Sequence, residues 1–254
     1  MEKIGLYTAL ILYLIAFVLL ITQSRWRSWG IVISLSVLTH MGALVVLSLS
    51  ANHPPFTNLY ETLLLLSLLI ALRLLFWQKQ IESRYRWLVL LTGIICLGTA
   101  LLLPAHFSVS RPLMPALNSF WMYIHVPAYF FGYMALILAF LFALIFLGTG
   151  KNESAPEIAS LLRKLHNEVK IAFLFLNIGL VTGAIWAYFS WGNYWSWDPK
   201  EVWALINVLV LGIYFHLLKP RGTKKVWIVL LAFLCMLFTY FGVSFILSGL
   251  HSYA

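Results

Sequence analysis

The sequence predicts an all-α fold: a polytopic membrane helical bundle of about eight transmembrane helices, with both termini external. Three observations carry that prediction. The 254 residues are 62% hydrophobic and only 10% charged, whereas a soluble domain is about a quarter charged. The apolar residues gather in runs near the roughly 20 residues that a helix needs to cross a bilayer. The basic residues fall in every second connection between those runs, the pattern that marks cytoplasmic loops.

Span one is expected near Ile4–Ile21, preceded by Met1-Glu-Lys. It has no small-residue cleavage site, so it reads as an uncleaved helix rather than a signal peptide. Span two follows near Gly30–Ser50 and contains His40. The external segment His53-Pro-Pro-Phe-Thr-Asn-Leu-Tyr-Glu61 comes next. There Asn58 or Thr57 caps span three, near Asn58–Trp77, and Glu61 in its first turn suits the helix dipole. Span four is expected near Trp87–Leu103. The connection Pro104–Ser119 holds Pro104, Pro112 and Pro115 and should run irregularly.

Span five, near Trp121–Leu147, has His125 close to its start. The connection Gly148–Lys170 interleaves Leu161, Leu162 and Leu165 with Arg163, Lys164 and Lys170, which suggests a short helix at the membrane surface. Span six is expected near Val169–Phe189, span seven near Val202–Leu218 and span eight near Val226–Leu247. The whole chain, 1–254, reads as a single membrane domain without a soluble module.

The net charge of +9 raises the question of nucleic acid. Its distribution answers no. Arg25 and Arg27, then Lys79, Arg84 and Arg86, then Lys151, Arg163, Lys164 and Lys170, then Lys219, Arg221, Lys224 and Lys225 occupy alternate connections. The others hold Arg111 in one, Lys200 in another and no basic residue between spans two and three. The charge orients the chain in a lipid bilayer and leaves little for a polyanion. Cys96 and Cys235 lie inside apolar runs and form no Cys-x-x-Cys, so neither a redox dithiol nor a metal thiolate is on offer.

The connection between spans six and seven departs from a simple polar turn. Trp191-Gly-Asn-Tyr-Trp-Ser-Trp-Asp-Pro-Lys-Glu-Val-Trp203 places four tryptophans in one external loop, 190–203. Interfacial anchoring explains one or two tryptophans. Trp191, Trp195, Trp197 and Trp203 together form a surface suited to a large, flat, partly apolar ligand. Asp198, Pro199 and Glu201 have the spacing of an N-cap, first helical residue and capping-box partner. That spacing gives Asp198 and Glu201 a structural role and leaves a functional one open.

By the charge count, His53, His106, His125 and His251 lie on or near the external side, and His166 in a cytoplasmic connection. His40 and His216 fall inside spans, where an ionisable group should face a partner or a cavity. His216 lies fifteen residues beyond Glu201, or roughly 22 Å deeper along a straight helix. His125 and His251 can approach the tryptophans from either flank. Neutral imidazole is a good axial ligand for haem iron, and aromatic rings pack against a porphyrin. Arg111 and Lys200 are external cations for the propionates. Zinc fits less well, because no His-x-x-x-His or His-Glu-x-x-His occurs.

The tryptophan-rich stretch resembles the signature of the haem-handling cytochrome c assembly family. Asn58-Leu-Tyr-Glu-Thr62, His125-Val at a span start, His216 and the ending Gly249-Leu-His-Ser-Tyr253 are similar to its CcsA/ResC branch. The resemblance implies that haem b is carried as substrate and that His125 and His251 ligate its iron outside. It implies a second site within the membrane that includes His216. Trp191, Trp195, Trp197, Asp198 and Trp203 would contribute to the external surface. It further implies a CcsB/ResB-like membrane partner and attachment of haem to the Cys-x-x-Cys-His of apocytochrome c, as a subunit of a holocytochrome c synthase. The setting would be a bacterial cytoplasmic membrane or a thylakoid membrane. Two other readings share part of this pattern. One is a CcmC-like carrier that exports haem to a chaperone, a shorter type with about six spans. The other is a HemX-like regulator of tetrapyrrole synthesis, against which the full tryptophan signature argues.

Overall fold

The computed structural model describes residues 2–22, 26–77, 81–108, 113–148, 154–217, 222–247 and Gly249. Helices stand at all eight positions where apolar runs predict spans. They are α1 (Glu2–Ile21), α2 (Trp26–Ala51), α3 (Leu59–Trp77) and α4 (Arg86–Leu102), then, after a single turn α5 (Ala105–Ser108), α6 (Met122–Gly148), α7 (Ala155–Trp191), α8 (Pro199–His216) and α9 (Gly222–Leu237). A π-helical turn, Phe238–Gly242, joins α9 to α10 (Val243–Ile246).

Among the described residues, six stretches are long and apolar enough to cross a membrane: α1, Ser28–Ala51 of α2, α3, α6, α7 and the continuous stretch Thr223–Ile246. The expectation of about eight therefore resolves into six helices that meet this measure and two lesser ones. The 17 residues of α4 span about 25 Å, short of a hydrocarbon core of about 30 Å. The 18 residues of α8 include Lys200, Glu201, Asn207 and His216, which dilute its apolar character.

Outward faces are apolar, the reverse of a soluble protein. Ile4, Ile11 and Val18 of α1, Leu38, Val45 and Leu49 of α2, and Trp227, Leu231 and Leu234 of α9 are all exposed. Lipid satisfies such faces, and helices satisfy their own backbone.

The chain forms two compact units, Met1–Met114 and Pro115–Ala254. In the first, α1 packs on α2 and α4, and α3 packs on α2 and α4. Leu6, Ala9, Tyr13, Ala16 and Leu20 form the buried stripe of α1, at the three- and four-residue spacing that keeps one helix face. The crossing of α3 and α4 is close enough for Ser67 Oγ to donate to Gly93 O at 2.8 Å. The expected cap of α3 is present and elaborate. Asn58 Oδ1 accepts from the Glu61 N–H at 2.9 Å. The buried Glu61 carboxylate accepts from Thr57 N–H, Thr57 Oγ1 and Asn58 Nδ2.

In the second unit, α6 and α7 pack antiparallel over much of their length, α9 lies on α6 and α8, and α8 on α7. Small residues permit the close approach, as is usual between membrane helices. A Cβ added to Gly132 of α6 would lie 2.9 Å from Leu176 of α7, and one on Gly179 would lie 2.6 Å from the Tyr129 ring.

The surface helix expected in Gly148–Lys170 is instead the opening part of α7. Ser154 and Glu157 form a capping box with Pro156 in the first turn. No glycine or proline follows Pro156 until Gly179, well inside span six, so the segment runs unbroken into that span. The connection before α6 does run irregularly where it is described, with only α5 and a short 3-10 turn, Pro115–Leu117.

Candidate functional site

The tryptophan-rich turn is built by two helix ends. Gly192 ends α7 at φ 80°, with its N–H on Tyr188 O at 2.9 Å. Glycine adopts that left-handed conformation without penalty. Asp198 begins α8 as its N-cap, accepting from the Lys200 N–H at 2.9 Å, with Pro199 as first helical residue. The capping pattern legible in the sequence is therefore real.

Between these ends Trp197 sits at φ 59°. For a bulky residue that is an outlier with a cost of about 1–3 kcal/mol. Glu201 holds it there. Its Oε2 accepts from the N–H of Ser196 at 2.8 Å and from that of Asp198 at 3.2 Å, one on each side of Trp197. Ser196 Oγ donates to the same carboxylate at 3.3 Å. The outcome is an indole turned outward, 71% exposed.

The four tryptophans do not form one flat surface. Trp191 packs inward, edge-on to Trp186, with ring centroids 4.6 Å apart. Trp203 packs on Phe238 of the π-helical turn at 4.3 Å. Trp195 and Trp197 meet edge to face at 5.9 Å, and Tyr194 stacks on Tyr188 at 4.5 Å. Two indoles thus root the turn in the helices, while Trp197 and Tyr194 present apolar surface outward.

His125 lies in the first turns of α6 and faces α7. Its Nδ1 is 2.8 Å from Gly179 O, an acceptor only. Nδ1 therefore carries the proton and Nε2 the lone pair. The ring stacks on Trp186 with centroids 5.8 Å apart and planes at 14°. Trp186 is buried and donates from Nε1 to Ala116 O at 2.8 Å, where Ser190 Oγ also donates. A continuous aromatic contact thus runs from His125 through Trp186 to Trp191.

His216 is at the far end of α8 from Asp198, about 27 Å along the helix axis. Its Nδ1 donates to Gly212 O at 2.8 Å, which again places the lone pair on Nε2. The structure does not bring His216 and His125 together. His251 and Arg111 lie outside the described residues. Gly249, two residues before His251, is described. It sits so close to the Asp198 carboxylate and Pro199 that a Cβ there would collide with Asp198 Oδ2. Asp198 itself is buried. Burial pushes the Lys200 ammonium below its usual range, while the neighbouring Asp198 pulls it up.

The remaining histidines are engaged elsewhere. His40 is fully buried, with the Tyr13 hydroxyl 3.4 Å from its Nδ1. His53 donates from Nδ1 to Pro54 O at 3.0 Å, and His106 lies against Phe107. Among the described residues, no three His, Cys, Asp or Glu side chains gather to hold a metal ion. An imidazole stacked on an indole suits an iron that brings four nitrogens of its own, as a tetrapyrrole does.

Trp186, Gly179 and Gly183 were not singled out from the sequence. A signal existed: Gly179-x-x-x-Gly183 in an apolar helix marks a close helix contact. Nothing in the sequence pointed to Ala116 as the acceptor for Trp186.

Comparison with known proteins adds an independent line. The sequence profile described as Cytochrome C assembly protein matches residues 56–251. The chain is 35% identical to the "Cytochrome c biogenesis protein CcsA" of Chlamydomonas reinhardtii, over 80% of this chain and 62% of that protein. It is 32% identical to the protein of that name from Heterosigma akashiwo, over 80% of this chain and 77% of the relative. It is 29% identical to that of Synechococcus sp., over 100% of this chain and 97% of the relative.

Proposed function

This chain belongs to the cytochrome c assembly protein family, and we propose that it serves cytochrome c biogenesis by carrying haem b across a membrane and presenting it outside. With a CcsB/ResB-like partner it would offer that haem to the Cys-x-x-Cys-His of apocytochrome c. The observation that carries this reading is His125: an imidazole with its lone pair on Nε2, stacked on Trp186 beside the tryptophan-rich turn.

The donor set fits the ligand. His125 would take one ligand position on the iron, and His251, which follows two residues after Gly249 in the sequence, would supply the other. Trp195 and Trp197 would cover the macrocycle, while Trp191 and Trp203 tie the turn to the helices. Lys200 and Arg111 are the cations for the carboxylates. Haem supplies iron and two vinyl groups. The protein fixes the vinyl edge toward the substrate and keeps water away. Each substrate thiol adds across a vinyl double bond: sulfur bonds to one carbon, the proton goes to the other, and nothing leaves. No side chain of this protein needs to act as a nucleophile.

His216, at the opposite end of α8, would be the ligand of the inner site, and the basic residues in the neighbouring connections support a cytoplasmic side for that end. The full chain, purified with and without a CcsB-like partner, should carry haem with a low-spin, bis-histidine spectrum. His216→Ala should deplete haem before it reaches the outer site. Normal outer loading in that variant would remove the inner site from the scheme.

A further inference from the structure

We infer that one face of α7 sets both the tautomer and the ring plane of His125, which makes Gly179, Gly183 and Trp186 positioning residues for an axial imidazole. The inference rests on the haem reading above and deepens it.

Gly179, Gly183 and Trp186 are separated by four and three residues, so they share one helix face. Each acts on a different property of the ring. The Gly179 carbonyl receives Nδ1–H at 2.8 Å and fixes the tautomer. Thr182 Oγ1 reaches the same oxygen at 3.3 Å. Gly183 makes room: an added Cβ would stand 2.5 Å from His125 Cε1 and 2.6 Å from Nδ1. Trp186 defines the plane, lying within 14° of the imidazole. Trp186 is itself pinned by its bond to Ala116 O.

Packing alone would not demand this arrangement. Glycine in a helix interior costs about 1 kcal/mol relative to alanine. A filler would need volume, not a carbonyl within reach of Nδ1, an absent Cβ and a parallel indole on one stripe. An axial histidine does need such outer partners. An N–H···O=C bond fixes its orientation and raises its basicity. A more basic ligand favours ferric iron and so lowers the reduction potential.

The test uses the full chain in detergent, in a His216→Ala background and loaded with haem in vitro, so that only the outer site is read. The variants are Gly183→Ala, Trp186→Leu, Trp186→Phe and His125→Ala. The readouts are the midpoint potential and the low-spin ferric spectrum, which depends on the planes of the axial imidazoles. Gly183→Ala and Trp186→Leu should shift the potential upward and alter the spectrum, and Trp186→Phe should restore most of both. If Trp186→Leu does not fold, Gly183→Ala carries the comparison alone. Native potential and spectrum in Gly183→Ala would overturn the inference while leaving the haem reading intact. A native outer-haem spectrum in His125→Ala would overturn the haem reading itself, and the inference with it.

Discussion

At the scale of the residue, Asp198 has two duties, divided between its carboxylate oxygens. Oδ1 caps α8 through the Lys200 N–H, and Oδ2 faces the Gly249 backbone. The second duty links the tryptophan turn to the segment that carries His251. Gly249→Ala forces a methyl group into Asp198 Oδ2. We expect unchanged helix content by circular dichroism with loss of most outer haem by absorbance. Retained haem in that variant would separate Asp198 from the ligand site. Glu201 makes a similar case. Its carboxylate bridges the two N–H groups around the left-handed Trp197. Trp197→Gly should relieve about 1–3 kcal/mol of backbone strain and raise the melting temperature. It should also weaken haem retention several-fold, because the exposed indole is gone. Glu201→Ala should cost about 1 kcal/mol, the usual value of a lost cap, and Glu201→Gln should keep most of it. The capping roles were legible in Asp198-Pro-Lys-Glu201. The contact with Gly249 was not, because half a hundred residues separate the two and no local pattern connects them.

At the scale of the element, all eight apolar helices were legible from composition and run length, to within a few residues at most ends. Two features were not. The first is the continuity of α7. Charged residues before Val169 suggested a separate surface helix, but a well-capped start at Ser154 and the absence of glycine or proline between Pro156 and Gly179 let 37 residues form one helix. The second is the π-helical turn at Phe238–Gly242. Such turns leave no periodic signature in a uniformly apolar run and often sit at functional sites. Here it places Phe238 against Trp203, over Gly242, where an added Cβ would lie 2.5 Å from the ring. Gly242→Ala should displace Phe238, lower the melting temperature by a few degrees and loosen Trp203. Intrinsic tryptophan fluorescence, read beside a thermal melt, checks both. A variant with native melting and fluorescence would show that the turn does not support the tryptophan.

At the scale of the whole molecule, the sequence reads as a membrane protein from its charge pattern, and the structure agrees through its exposed apolar faces. Orientation is a proposal that rests on where the lysines and arginines fall. A reporter fused after Ala254 should be active outside the membrane, and activity inside would invert the arrangement. The site's chemistry was partly legible. Histidines, tryptophans and caps could be read off the chain, whereas the α7 face that holds His125 exists only once α6 and α7 pack. The central claim is that His125, with His251, ligates haem at the tryptophan-rich turn. The most direct measurement is the visible spectrum of haem bound to the purified full chain, native against the His125→Ala, His251→Ala double variant. The account predicts that the double variant loses the low-spin outer-site signal, together with cytochrome c maturation in the cell. An unchanged signal with intact maturation would contradict it.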